Sequence, residues 1–188
     1  MSLPPLPQFK NEYEGQKLRY LVQVLETSFN DFANIQSKFN KTSTVMTYSM
    51  TAGNISTGET TLFTAPISIS TIKSTNWQIY IQTYGTFAST INTKELKLYL
   101  NNVVIYDSTA VAANGGSWNI DAVISWNGIA LQNNMVTTNS SNPTFPSTAV
   151  YSQTTASFSA PIIVKLTGTG GATNDIIAKQ FIVTIQPN

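Results

Sequence analysis

The sequence predicts a mainly β protein: a jelly-roll-like antiparallel β-sandwich with a short N-terminal α-helical stalk. Three observations carry that reading. Hydrophobic residues make up 41% of the chain and charged residues only 10%, so there is apolar material for a core and too little charge to keep the chain unfolded. Charge is also unevenly spread. Lys10, Glu12, Glu14, Lys17, Arg19, Glu26, Asp31, Lys38 and Lys41 all fall in the first 41 residues, leaving ten charges for the rest. Near that point the apolar period changes from helical to two. Residues 1–41 therefore read as a Pro-rich anchor plus amphipathic helix, and residues 42–188 as the β domain.

The leader Leu3-Pro4-Pro5-Leu6-Pro7 cannot be helical, because each proline fixes φ and pushes its predecessor toward extended geometry. It reads as an extended strap with apolar knobs at Leu3, Leu6 and Phe9. Such a strap is either a frayed end or a docking peptide for another protein. It lacks the basic and apolar regions of a signal peptide.

Residues 11–39 carry a heptad stripe. Leu18, Leu25, Phe32 and Phe39 recur every seven residues at d, and Val22 and Phe29 occupy a. Gln36 takes the next a position, and Leu21 and Ile35 widen one flank. An isolated helix of this kind is marginal in water, so the stripe needs a partner. Either the β domain covers it or other copies of the chain do. Phenylalanine at seam positions suits a bundle wider than a tight dimer.

From residue 42 onward alternation dominates. Strands are expected at 44–50, 77–84, 94–100, 103–106, 117–126, 130–137, 149–158, 162–167 and 177–186, with Asn101-Asn102 as a hairpin turn. Turns are expected at Gly53-Asn54, 114–116, 127–128, 139–146 and 168–171. So many short strands without a helical stretch argue for a sandwich of jelly-roll type.

The chain has no cysteine and no histidine. That removes disulfides, the commonest general base and the usual nucleophilic triads. A carboxylate pair could still hydrolyse a glycoside. The β region offers Glu59, Glu95, Asp107, Asp121 and Asp175 without a spacing that marks any two of them. Glu95 is expected on a solvated strand face. No calcium-type loop is present, and Gly168-Thr169-Gly170-Gly171 lacks the lysine and helix of a phosphate loop. Trp77, Trp118 and Trp126 could form a sugar platform, but core packing is the simpler assignment. Asn40, Asn54 and Asn139 begin glycosylation-type triplets of the sort that an Asn- and Thr-rich chain produces by chance. A net charge of +1 without a basic run argues against nucleic acid, and no apolar run is long enough to span a bilayer.

The segment Asn92-Thr93-Lys94-Glu95-Leu96-Lys97-Leu98-Tyr99-Leu100, continued by Val104–Ser108 and Asn114–Ile120, resembles C-terminal β domains of tailed-phage virion proteins of the head-fibre, capsid-decoration and tail-fibre type. The resemblance covers about the last three quarters of the chain. It implies a non-enzymatic structural protein on the virion surface, trimeric, without cofactors. Its N-terminus (Leu3, Pro4, Pro5, Leu6, Pro7 and Phe9) would anchor to other virion proteins. An alternative within the same resemblance is a tail adhesin for a host-surface glycan or protein.

Overall fold

The computed structural model describes residues 12–39, 44–48, 51–68, 77–127, 131–155 and 161–187. The chain divides into two compact units, Met1–Thr42 and Ser43–Asn188.

The first unit contains α1, Glu12–Phe39, a 28-residue helix about 42 Å long at 1.5 Å per residue. Its leucines, glutamines, glutamates and lysines are good helix formers, and no proline interrupts it. Residues 16–31 are exposed in the single chain apart from half-buried Leu18.

The second unit is all β. Its strands are β1 Thr44–Tyr48, β2 Ala52–Gly53, β3 Thr60–Ile67, β4 Trp77–Phe87, β5 Lys94–Leu100, β6 Val103–Asp107, β7 Ser117–Asn127, β8 Leu131–Ser140, β9 Thr148–Thr154, β10 Ile162–Gly170 and β11 Ile176–Pro187. One sheet runs β1-β11-β4-β7-β8-β9, with β2 also paired to β11. The other runs β3-β10-β5-β6. All pairings are antiparallel.

This order is a jelly roll, and the pairings show why. Outward from the β5–β6 hairpin, the chain pairs with itself as a two-stranded ribbon: β5 with β6, β4 with β7, β3 with β10, and β1 with β11. Successive ribbon segments alternate between the two sheets, which closes the sandwich. Strands β8 and β9 widen the first sheet beyond this pattern.

Alternation builds the core. Strand β5 turns Lys94, Leu96, Leu98 and Leu100 inward, and β4 turns in Ile79, Ile81 and Phe87. Phe63 of β3 stacks on Phe181 of β11 between the sheets, centroids 5.5 Å apart. Near one end Phe87 lies 4.9 Å from Phe145 and 6.2 Å from Trp118. Gly85 is required beside this cluster: a Cβ there would lie 2.4 Å from Trp118 Cζ2 and 2.0 Å from the Ile177 carbonyl.

The expected helix and nine strands are present with shifted ends, and Asn101 takes φ 55° in the β5–β6 turn. Two strands were not expected. Strand β2 has only two residues, and β3 breaks alternation because a bulge against β10 buries both Leu62 and Phe63. Its Pro66 is tolerated because β3 is an edge strand. Several expected turns are corrected. Gly53 pairs in β2 and Asn54 is buried, while Asn139 and Ser140 extend β8. Gly168–Gly170 pair with Leu96–Lys94 inside β10. The following bend crosses between sheets, so it is not a hairpin. The strand expected at 149–158 is β9 through Thr154; residues 156–160 lie outside the described set.

The buried apolar residues of this unit span Leu62 to Ile185 and form one cluster. A fragment of residues 43–188 is therefore expected to unfold in one cooperative thermal transition. A non-cooperative melt followed by circular dichroism would show that the core needs residues from the first unit.

Candidate functional site

The strap residues Leu3, Pro4, Pro5, Leu6, Pro7 and Phe9 lie outside the described residues. Of the seam, Leu18 is half-buried, whereas Val22, Leu25 and Phe29 are exposed in one chain, Leu25 at 55% and Phe29 at 71%. Phe32 and Phe39 belong to α1, but their side chains lie outside the described set. Tyr20, Leu21 and Val24 are exposed as well. Between Tyr20 and Phe29, nearly three turns, the helix thus presents large apolar groups that a lone chain does not bury.

The carboxylates considered for catalysis separate into different surroundings. Glu95 and Asp107 both pair with Lys97, at 3.3 and 3.4 Å. Glu59 accepts a hydrogen bond from the Tyr99 hydroxyl at 2.6 Å, which holds its carboxyl below the usual range. The ammonium of Lys165 lies 4.2 Å from the Tyr99 ring centre. These residues form one network on and beside the outer face of the β3-β10-β5-β6 sheet. Glu95 lies on this outer face, the strand face expected of it, and is half-buried among its partners. Asp121 stands on the other sheet and accepts from Asn119 Nδ2 at 2.8 Å. No group of three or more acidic side chains that could hold a metal occurs among the described residues.

The outer face of the larger sheet has the opposite character. Register aligns Val45, Thr184, Tyr80, Val123, Met135 and Tyr151 in one row across six strands. The next row is Thr47, Ile182, Gln82, Asp121, Thr137 and Ala149. Asp121 is the one charge in these two rows. Between them lies a depression of about 390 Å³ lined by Tyr80, Gln82, Asp121, Val123, Met135 and Thr137, among others. Of the tryptophans, Trp118 is buried in the core, so it is not a sugar platform, and Trp77 is partly buried against the core. The side chain of Trp126 lies outside the described set.

Asp175 is buried and joins two loops at one end of the sandwich. Its oxygens accept from Thr90 Oγ1 at 2.7 Å, Asn92 Nδ2 at 2.9 Å and the Ala172 amide at 2.8 Å. The fully buried Lys94 donates to the Thr90 and Asn92 carbonyls at 2.9 and 3.1 Å and to Thr90 Oγ1 at 3.0 Å. Asn54 accepts from the Ile176 amide and donates to the Ser56 and Ala172 carbonyls. With its amide in these bonds and no exposure, Asn54 is not a glycosylation acceptor. Neither the burial of Lys94 nor this network was expected. The sequence signal is slight: a lysine at an inward position of an alternating strand, Lys94-Glu95-Leu96-Lys97-Leu98.

Burial pushes the Asp175 carboxyl up, but the bonds from Thr90, Asn92 and Ala172, with the Lys94 charge, outweigh it and hold the pKa below the ordinary value. Burial lowers the Lys94 ammonium, and the Asp175 charge partly opposes that. A carboxyl depressed on folding stabilises the native state above its unfolded pKa, and the contribution fades as pH falls through its folded pKa. Asp175→Asn is expected to cost about 2–4 kcal/mol at pH 7, since Lys94 stays buried without its counter-charge. Urea titrations should also find the variant's stability changing less than the parent's as pH falls below ~4. Equal slopes on the acid side would remove Asp175 from the acid response.

No family model matches the chain, and no curated protein does. Solved structures with some similarity include an infectious bursal disease virus VP2 subviral particle, at 15% identity over 79% of this chain and 42% of that one, TM-score 0.22. The Gx strain of that virus gives 11% identity over 79% and 37%, TM-score 0.23. The chain spans less than half the length of these proteins. At such scores the jelly roll rests on the strand order described above, and no family membership follows.

Proposed function

We propose that this chain is a non-enzymatic structural protein of a phage particle. Three copies associate through α1, the leader anchors them to other virion proteins, and the β domain faces outward as a head fibre or decoration. The carrying observation is the exposed stripe on α1. Val22, Leu25 and Phe29 follow a 3-4 spacing and are exposed in one chain, an arrangement that knobs-into-holes packing between copies would bury. The β domain adds a body held by two sheets and a buried polar network. Its likeness to tailed-phage β domains, seen at Asn92–Leu100, Val104–Ser108 and Asn114–Ile120, supplies the particle context.

The leader suits anchoring. Prolines reduce the entropy lost when a strap docks, and a bundle of helices would present several straps at one place.

Light scattering of the full chain is expected to give three times the mass of one chain. Leu25→Glu with Phe29→Glu should lower that mass while the β domain keeps its melting transition. An unchanged mass would remove the helix from the assembly.

Deleting residues 2–9 should leave a folded oligomer that no longer enters particles. Full occupancy of the truncated protein on purified virions would rule the strap out as anchor.

A further inference from the structure

We infer that the outer face of the β1-β11-β4-β7-β8-β9 sheet is a contact surface for a second copy of this chain. The first ground is the asymmetry of the sandwich. Glu59, Glu95, Lys97, Asp107 and Lys165 gather about the outer face of the smaller sheet, while Asp121 is the one charge in the two central rows of the larger. Water solvates the first face well. The second presents Val45, Tyr80, Val123, Met135 and Tyr151 in one row, with Val45 57%, Met135 46% and Tyr151 58% exposed. Interface cores are enriched in tyrosine and methionine and depleted of charge, as this row is.

The second ground is that several polar atoms beside the row already have partners within the chain. The Tyr151 hydroxyl and Gln153 Nε2 both donate to Asn133 Oδ1 at 2.9 Å. The Tyr80 hydroxyl donates to Gln78 Oε1, and Asn119 Nδ2 to Asp121. A polar group paired in this way loses little when water leaves, so covering the face costs less than its amide content implies.

The third ground is area. Six strands about 4.8 Å apart, over about 25 Å of strand length, give about 600 Å² in projection and more as accessible surface. A stable contact buries about 800 Å² per partner. A face this wide and neutral matches a second β domain better than a narrow peptide.

The occupant's identity rests on the self-association proposed above, and the test separates the two. The chain has no cysteine, so single cysteines report cleanly. Met135→Cys and Tyr151→Cys are made in the full chain, with Ile163→Cys, 43% exposed on the opposite sheet, as control. Maleimide labelling is followed beside light scattering. Labelling at positions 135 and 151 should run at least tenfold slower than at 163 in the purified oligomer. Hydroxyl-radical oxidation of the unsubstituted chain should likewise spare Met135 and Tyr151, which covers the event that a cysteine disturbs folding. Labelling as fast as the control in an intact oligomer would overturn the contact and leave helix-driven assembly standing. The face would then be open to an outside ligand such as a glycan. Slow labelling in a monomer would also overturn it, since the chain's own segments would be the cover. A parent chain that is monomeric at all concentrations would overturn both proposals.

Discussion

The β domain depends on one pairing constraint. Strand β11 must lie between β1 and β4, so the two ends of the domain meet at one edge of the larger sheet. Only then does the ribbon close and bring Val183 and Ile185 beside Ile81 and Ile79. The stacking of Phe63 on Phe181 then joins the outermost strand of the smaller sheet to this same strand. Loop closure over so much chain carries an entropic cost that grows only slowly with length, and the apolar area buried along β11 offsets it.

Closure creates a second demand at the loop end, where the crossovers remove backbone groups and two opposite charges from water. Asp175 and Asn54 satisfy that end by accepting and donating across three loops, with Lys94 held by carbonyls of the Thr90–Asn92 bend. A buried charge pair of this kind adds little net stability over an apolar replacement, but it is strongly destabilising when half of it is removed. Its role is to fix how the loops meet.

With core and loop end accounted for, the remaining asymmetry lies on the surface. The two sheets share one core yet differ outside: ionic on the smaller, neutral and aromatic on the larger. Folding does not require this difference, because both faces are solvent-side positions of amphipathic strands. Together with the apolar stripe of α1, it describes a chain that sets exposed apolar groups in rows at two places, beside scattered ones such as Ile55, Ile91 and Ile163. That arrangement suits a protein that completes its packing by assembly.

The sequence by itself determined the helix, most strands, the Asn101-Asn102 hairpin and the all-β class. Each is a local pattern: a 3.6 or 3.5 period, a period of two, or a turn residue with positive φ. The heptad stripe on α1 was legible for the same reason. Strand β3 was not, because the Leu62 bulge that spoils its alternation is set by its partner β10. The burial of Asp175 was not, because Thr90 and Asn92, which donate to it, come from a loop far away in sequence, and the burial of Lys94 follows from that same junction. Nor was the neutral face. Val45, Tyr80, Val123, Met135 and Tyr151 lie far apart in sequence, and cross-strand register alone makes them neighbours. Local periods fix which side of a strand a residue takes; only the order and register of strands decide what stands beside it.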